Sequence, residues 1–215
     1  MLKRLINEKA KIDPANKAMV LDQWMTPPCA VEALIALERE HLPPIILEPC
    51  CGDGTGFVEP LQKAGYEVIA RDIDPDFGFP VADFLTDLLP DGWPYDSAVG
   101  IVSNPPFTLA EQFVRKAIEA APYSAWLLRL NWLEGCARKR LFDEIPPARI
   151  RVSSRRLPFH RFGYTGPKAA SNVAHAFFIW DRAATNSLPE VSWFDWQDYV
   201  APTTRISTTD ETLAA

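Results

Sequence analysis

The fold class this sequence predicts is α/β: a mostly parallel, doubly wound sheet with helices on both faces. Three observations carry that reading. Short apolar runs at residues 45–47, 66–70, 98–103 and 123–130 alternate with segments of helical period. A glycine-rich loop, Gly52-Asp53-Gly54-Thr55-Gly56, follows the first run, where a doubly wound sheet binds its ligands. Acidic residues punctuate the strand ends in order: Glu48, Asp72 and Asp83. The chain has 215 residues, 47% of them hydrophobic, which suits one sizeable domain with a buried core.

Residues 1–20 are polar, carry Lys3, Arg4, Lys9, Lys11 and Lys17, and are expected to form an N-terminal arm; the domain itself is expected over 21–182. Pro27-Pro28 starts a helix with Thr26 as its N-cap and Val31, Leu34, Ile35 and Leu37 as its apolar face. Pro43-Pro44 ends that helix and introduces the strand at 45–47. The glycine loop leads into a helix through Val58 and Leu61, stopped at Gly65, and then the strand at 66–70. After the strand at 98–103, Thr108 and Glu111 form a T-x-x-E capping box that opens the next helix. The strand at 123–130 precedes a helix over 131–143. Residues 146–172 are expected to be irregular, and 173–180 to be a late strand. The stretch 183–215 reads as a tail, polar apart from 191–196, with its last dozen residues disordered.

No stretch is long and apolar enough to span a membrane, and the N-terminus lacks a signal peptide's apolar centre. Cys29, Cys50, Cys51 and Cys136 show no metal-ligand spacing, and the adjacent pair makes a poor disulfide. No metal and a reduced, cytoplasmic setting are therefore expected. Net charge is −6, yet between Arg138 and Lys168 nine basic residues face two acidic ones, a local balance of +7. That window predicts a basic substrate-recognition loop at 146–170. Its nucleic-acid contacts would be Arg155, Arg156, His160, Arg161 and Lys168, with 163–167 as the flexible tip.

The glycine loop has the spacing G-x-G-x-G, which departs from the dinucleotide fingerprint, and it lacks the Lys-Ser/Thr of a phosphate loop. An acidic residue just before the glycines would repel a pyrophosphate but suits a cationic ligand. Asp72 can accept from both hydroxyls of a ribose, and Asp83 from an adenine amine with Phe84 as a stacking surface. Asn104-Pro105-Pro106-Phe107 then ends the strand at 98–103. The Asn104 side-chain oxygen and the Pro105 carbonyl can both accept from one NH₂ group, and proline holds that carbonyl rigidly. Phe107 offers a ring on which a base can stack, worth roughly 1–3 kcal/mol.

With these residues in this order, the chain resembles the S-adenosylmethionine-dependent amino-methyltransferases of DNA, especially the adenine-N(6) family, over roughly residues 22–180. The motif order resembles the gamma arrangement, and residues 156–180 are similar to small phage-encoded members. The resemblance implies a Rossmann-like class I methyltransferase fold, S-adenosylmethionine as cofactor and DNA as partner. It implies that Trp24, Thr26 and Pro27 meet the cofactor's methionine end, and that Glu48, Cys50, Gly52 and Gly54 form the cofactor loop. Asp72 with Ile73 would take the ribose, Asp83 with Phe84 the adenine, and Asn104 both cofactor and substrate. Asn104, Pro105, Pro106 and Phe107 would be the catalytic motif.

The chain departs from that family in having no room for a separate target-recognition domain. Asn-Pro-Pro-Phe is also seen in guanine-N(2) methyltransferases of ribosomal RNA, and Asn-Pro-Pro-Tyr in glutamine methyltransferases of release factors. An RNA base methyltransferase and a non-catalytic binding module on the same fold are the alternatives. Cys29, although part of a Pro-Cys pair, precedes the cofactor loop and reads as a helix-start residue; His175 reads as structural.

Overall fold

A computed structural model describes residues 22–95, 98–161 and 172–200, with only the backbone of Arg161. The expected arm, the loop tip with Lys168, and the end of the tail lie outside the described residues. In chain order the elements are β1 (Trp24–Met25), α1 (Pro28–Glu38), β2 (Ile45–Glu48), α2 (Val58–Lys63), β3 (Glu67–Ala70), β4 (Val99–Ser103), α3 (Ala110–Ala120), β5 (Tyr123–Arg129), α4 (Cys136–Glu144), β6 (Arg149–Ser153), β7 (His160–Arg161), β8 (His175–Asp181) and β9 (Glu190–Phe194).

Seven strands form one sheet in the order β3-β2-β4-β5-β8-β6-β9, and β1 pairs with β7 apart from it. The pairs β3-β2, β2-β4, β4-β5 and β6-β9 are parallel; only β8 runs against its neighbours. Strand side chains alternate between two cores. Ile46, Val102, Leu127, Phe177 and Ile179 pack with α1 and α2 on one face. Leu47, Ile101, Trp126, Leu128 and Phe178 pack with α3 and α4 on the other. Both faces of the central strands are covered, which explains their unbroken apolar runs.

Several local expectations are corrected. Thr26 does not cap α1: the helix starts at Pro28 with Pro27 before it and no side-chain cap. Thr108 and Glu111 form no capping box either. α3 begins at Ala110, and Glu111 instead binds Arg115 and Arg138. The segment 131–143 divides into a 3₁₀ turn at Leu130–Leu133 and α4, whose break falls at Gly135, with φ of 103°.

The largest correction concerns the basic window. Residues 149–153 are a sheet strand, and Arg149 and Arg151 are buried. Their Nε atoms each donate to the fully enclosed carboxylate of Glu38 at 2.9 Å. Arg149 also binds Asp181 at 2.7 Å, while Arg151 binds Glu190 and, at 2.8 Å, Ser192. These arginines fasten the sheet to α1 and do not face solvent. Beyond 182, β9 joins the sheet edge, with Phe194 and Trp196 buried and Trp193 exposed.

Candidate functional site

The parallel strands β2, β3 and β4 all end at one side of the sheet, where a cavity of about 460 Å³ opens. That volume accommodates a nucleoside-sized ligand. Its walls come from the loop after β2 (Cys50, Gly52), from Asp72 and Ile73 after β3, and from Asp83 and Phe84. Asn104 and Pro106 close it from β4, and the segment around β1, including Trp24 and Thr26, forms another wall. The sequence thus identified ten of the lining residues. Pro27, Glu48, Gly54, Pro105 and Phe107 were expected here as well but do not line the cavity.

Asp72 is only 6% exposed, yet no cation pairs with it among the described residues. Its two oxygens accept from the backbone amides of Gly52 and Asp74 at 2.9 and 2.8 Å, which hold the carboxylate at the cavity wall. Burial raises its pKa, against the pull of those two amides. Asp83, also buried, accepts from the Leu85 amide at 3.0 Å. Phe84 is braced by Phe113, with 5.2 Å between ring centres. Two poised carboxylates without cations form a hydrogen-bond-accepting wall, suited to a ligand that brings hydroxyls, an amine or positive charge. The residues therefore fit a nucleoside with a cationic arm.

Glu48 has a different position from the expected one. It is fully enclosed beneath the cavity, and burial pushes its carboxyl up to about 8. Its Oε1 accepts from the Ser103 hydroxyl at 2.5 Å and the Cys50 amide at 2.9 Å. Glu48 thereby links the end of β4 to the loop after β2.

Ser103 leads directly into Asn104, whose amide is fixed by one contact: Nδ2 donates to Thr26 Oγ1 at 3.1 Å. Its Oδ1 is buried and has no partner among the described residues. Thr26, freed from capping, thus sets which end of the amide faces inward. Gly56 makes this possible, because a Cβ there would come within 2.9 Å of the Thr26 carbonyl.

One organising residue was missed by sequence reasoning. Asp22 adopts φ of 54°, a conformation aspartate tolerates better than most residues. Its Oδ1 accepts from the Trp24 indole at 2.9 Å and its Oδ2 from the Phe107 amide at 3.1 Å, joining the β1 segment to the loop after β4. Gln23 ties the same segment to the loop after β3 by donating to Asp74 at 2.9 Å. Asp22 opens the segment 22–27 that resembles the family's upstream motif, but its organising role does not show there, because its partner at 107 is remote in sequence.

Among the expected nucleic-acid contacts, His160 pairs in register with Met25, beside the cavity wall. Arg156 is exposed. Arg155 is instead held by Asp195, with contacts of 3.0 and 3.2 Å. Cys29 is buried in α1 and its thiol is pushed up to about 12, chiefly by burial, which makes it a poor nucleophile. No group of potential metal ligands occurs among the described residues, and no helix among them is long and apolar enough to cross a membrane.

No family model and no curated protein matches the sequence. Solved structures do match the fold. One is assigned as an RNA methyltransferase from Pyrococcus horikoshii, with a TM-score of 0.53 and 14% identity, covering 74% of this chain and 86% of that one. Another is the methyltransferase subunit of a type I restriction-modification system from Streptococcus thermophilus, with a TM-score of 0.55 and 15% identity. That match covers 80% of this chain, which spans about half (47%) of the other's length. On this likeness, together with its seven-stranded, mostly parallel sheet, the chain has the Rossmann-like class I methyltransferase fold.

Proposed function

We propose that the protein is an S-adenosylmethionine-dependent N-methyltransferase that acts on the exocyclic amine of adenine in DNA. One observation carries the reading: a buried amide oxygen, Asn104 Oδ1, lacks a partner among the described residues while the other end of the same amide is held by Thr26. A buried acceptor without a donor costs about 1–3 kcal/mol, so such an oxygen implies a donor that arrives from outside. An amine supplies it.

When bound, S-adenosylmethionine supplies a methyl group on a sulfonium, the electrophile of the reaction. Asp72 would accept from its ribose hydroxyls and Asp83 from its adenine amine, with Ile73 and Phe84 against the ring. Asn104 Oδ1 and the Pro105 carbonyl would accept the two N–H bonds of the substrate amine. Their pull favours a pyramidal nitrogen whose lone pair is free, which counters delocalisation into the base. Catalysis is then orientation and electrostatics, with no covalent enzyme intermediate. The base must leave its stack to reach Asn104.

The test is transfer of labelled methyl to duplex DNA, single-stranded DNA and RNA, followed by identification of the labelled nucleoside. Label is expected in N(6)-methyladenine from DNA. Asn104→Ala should lower the rate by roughly 10²–10³-fold while cofactor affinity stays within a few-fold. Label confined to RNA would move the substrate to that polymer, and wild-type rates in the variant would overturn the role of Asn104.

A further inference from the structure

Arg129 ends β5, one sheet position from β4 and its Asn-Pro-Pro-Phe loop. Its guanidinium carbon lies 4.3 Å from the centre of the Phe107 ring. Phe107 opens a short aromatic row: His175 is 6.0 Å from it, and Phe159 a further 4.5 Å from His175, between ring centres. His175 is 4% exposed. Burial foremost, then the charges of Arg129 and Arg156, bring its pKa down to about 4, so the ring is neutral at physiological pH.

Six other basic residues are paired with carboxylates. Arg115 and Arg138 hold Glu111, Lys139 holds Asp143, Arg149 and Arg151 hold Glu38, and Arg155 holds Asp195. Arg129 and Arg156 hold no carboxylate among the described residues. A solvated cation ordinarily needs no explanation. Here, however, Arg129 lies over the face of the Phe107 ring, three residues beyond Asn104, and Arg156 is exposed three residues before Phe159 at the far end of the row. A guanidinium stacked on an aromatic face keeps its N–H edge directed sideways, ready for a planar or tetrahedral anion.

We infer that Arg129 and Arg156 form an anion site that grips the backbone phosphate of the nucleotide whose base is delivered to Asn104. This rests on the amino-methyltransferase reading of Asn104. Phosphate contact by Arg129 positions the nucleotide without reading its sequence, and the Phe107–His175–Phe159 row supplies the apolar floor beside it. With Arg129 already on one face of Phe107, a base that stacks there takes the opposite face or displaces the guanidinium. The recognition element then begins on the strand next to the catalytic loop, whereas the described part of the window Arg138–Lys168 contributes chiefly through Arg156.

The experiment is fluorescence anisotropy of the full chain with labelled duplex DNA, single-stranded DNA and RNA oligonucleotides across a salt series, beside a separate S-adenosylmethionine titration. The double variant R129Q/R156Q should bind at least 10-fold more weakly. Its slope of log affinity against log salt should shrink by roughly 1.5–2, as two lost phosphate contacts require. R140Q, on an exposed face of α4, should match wild type, and all variants should keep their cofactor affinity. Wild-type affinity and slope in R129Q/R156Q, a matching loss of cofactor affinity, or a wild-type chain that binds no oligonucleotide would each overturn the site. If wild type shows the arginine-dependent slope but transfers no methyl, the phosphate site stands and the proposed reaction falls. Methylation with an unchanged slope means the reverse.

Discussion

Glu38 and Glu48 are both fully enclosed carboxylates in the same domain, and their surroundings differ completely. Glu38 receives two guanidinium groups, Arg149 and Arg151, with the Tyr123 hydroxyl donating from 3.4 Å. Asp181, Glu190 and Ser192 take the remaining guanidinium edges. Glu48 receives no cation among the described residues; a hydroxyl and an amide serve one oxygen, and the other oxygen is enclosed alone. The β6–β8–β9 flank thus matches its buried charges internally, whereas the strand ends around the cavity leave polar atoms of Glu48 and Asn104 unmatched among the described residues. Unmatched polarity tolerated inside a fold marks a place where something else completes it.

Breaking the matched flank should have the largest effect. Glu38→Gln leaves two buried arginines sharing a neutral partner, which costs about 3–5 kcal/mol. For a domain of this size, thermal melting should fall by roughly 6–20 °C. A melting temperature within about 2 °C of wild type would show that the flank does not depend on that ion pair.

The open end should respond in rate before it responds in stability. Thr26→Val removes the acceptor that orients Asn104 while keeping the side chain's shape, and is expected to lower kcat about tenfold, equivalent to about 1.4 kcal/mol. Thr26→Ser should retain most of the rate. Equal losses in both variants, carried in KM for the methyl donor, would instead assign Thr26 to cofactor contact.

A further effect sharpens the comparison through pH. Because burial raises the Glu48 carboxyl from 4.5 to about 8, the folded protein holds a proton there that the unfolded chain releases. This group's contribution is fully present below pH 4.5 and is lost as pH rises through 8. Glu48→Gln keeps an acceptor for Ser103 and Cys50 and cannot ionise. Its melting temperature relative to wild type should therefore climb between pH 5 and pH 8. A difference that stays flat across that range would mean that Glu48 is ionised in the folded protein.

The alternation of strands and helices, the glycine loop and the acidic strand ends were legible because each is a local signal: a few neighbouring residues determine it. Arg149 and Arg151 were not, because the carboxylate that makes them strand residues lies 111 and 113 positions away. Without Glu38 in view, Arg-x-Arg reads as a basic loop. β9 was hidden for a related reason: it is an edge strand that exposes Val191 and Trp193, so its apolar alternation points away from the core. Thr26 and Thr108 carried plausible cap signatures that the structure does not use. At Thr26 the hydroxyl is taken by Asn104, a contact 78 positions distant. In the site, ten of the residues facing the cavity were found by motif, while the roles of Asp22 and Arg129 depend on which strands become neighbours.

The reversed strand β8 has a consequence for how the chain reaches this structure. β6 pairs only with β8 and β9, both of which follow it in the chain, and the second edge of β5 also waits for β8. A nascent chain that has reached residue 160 therefore holds one strand with no partner and a central strand open on one side. Strand edges in that state are templates for pairing with other molecules. The segment made late is inserted into the middle of the sheet, so closure depends on contacts between distant parts of the chain, which slows folding. Ribosome release and chaperone access, more than the stability of the finished fold, would then govern how much of this protein a cell recovers.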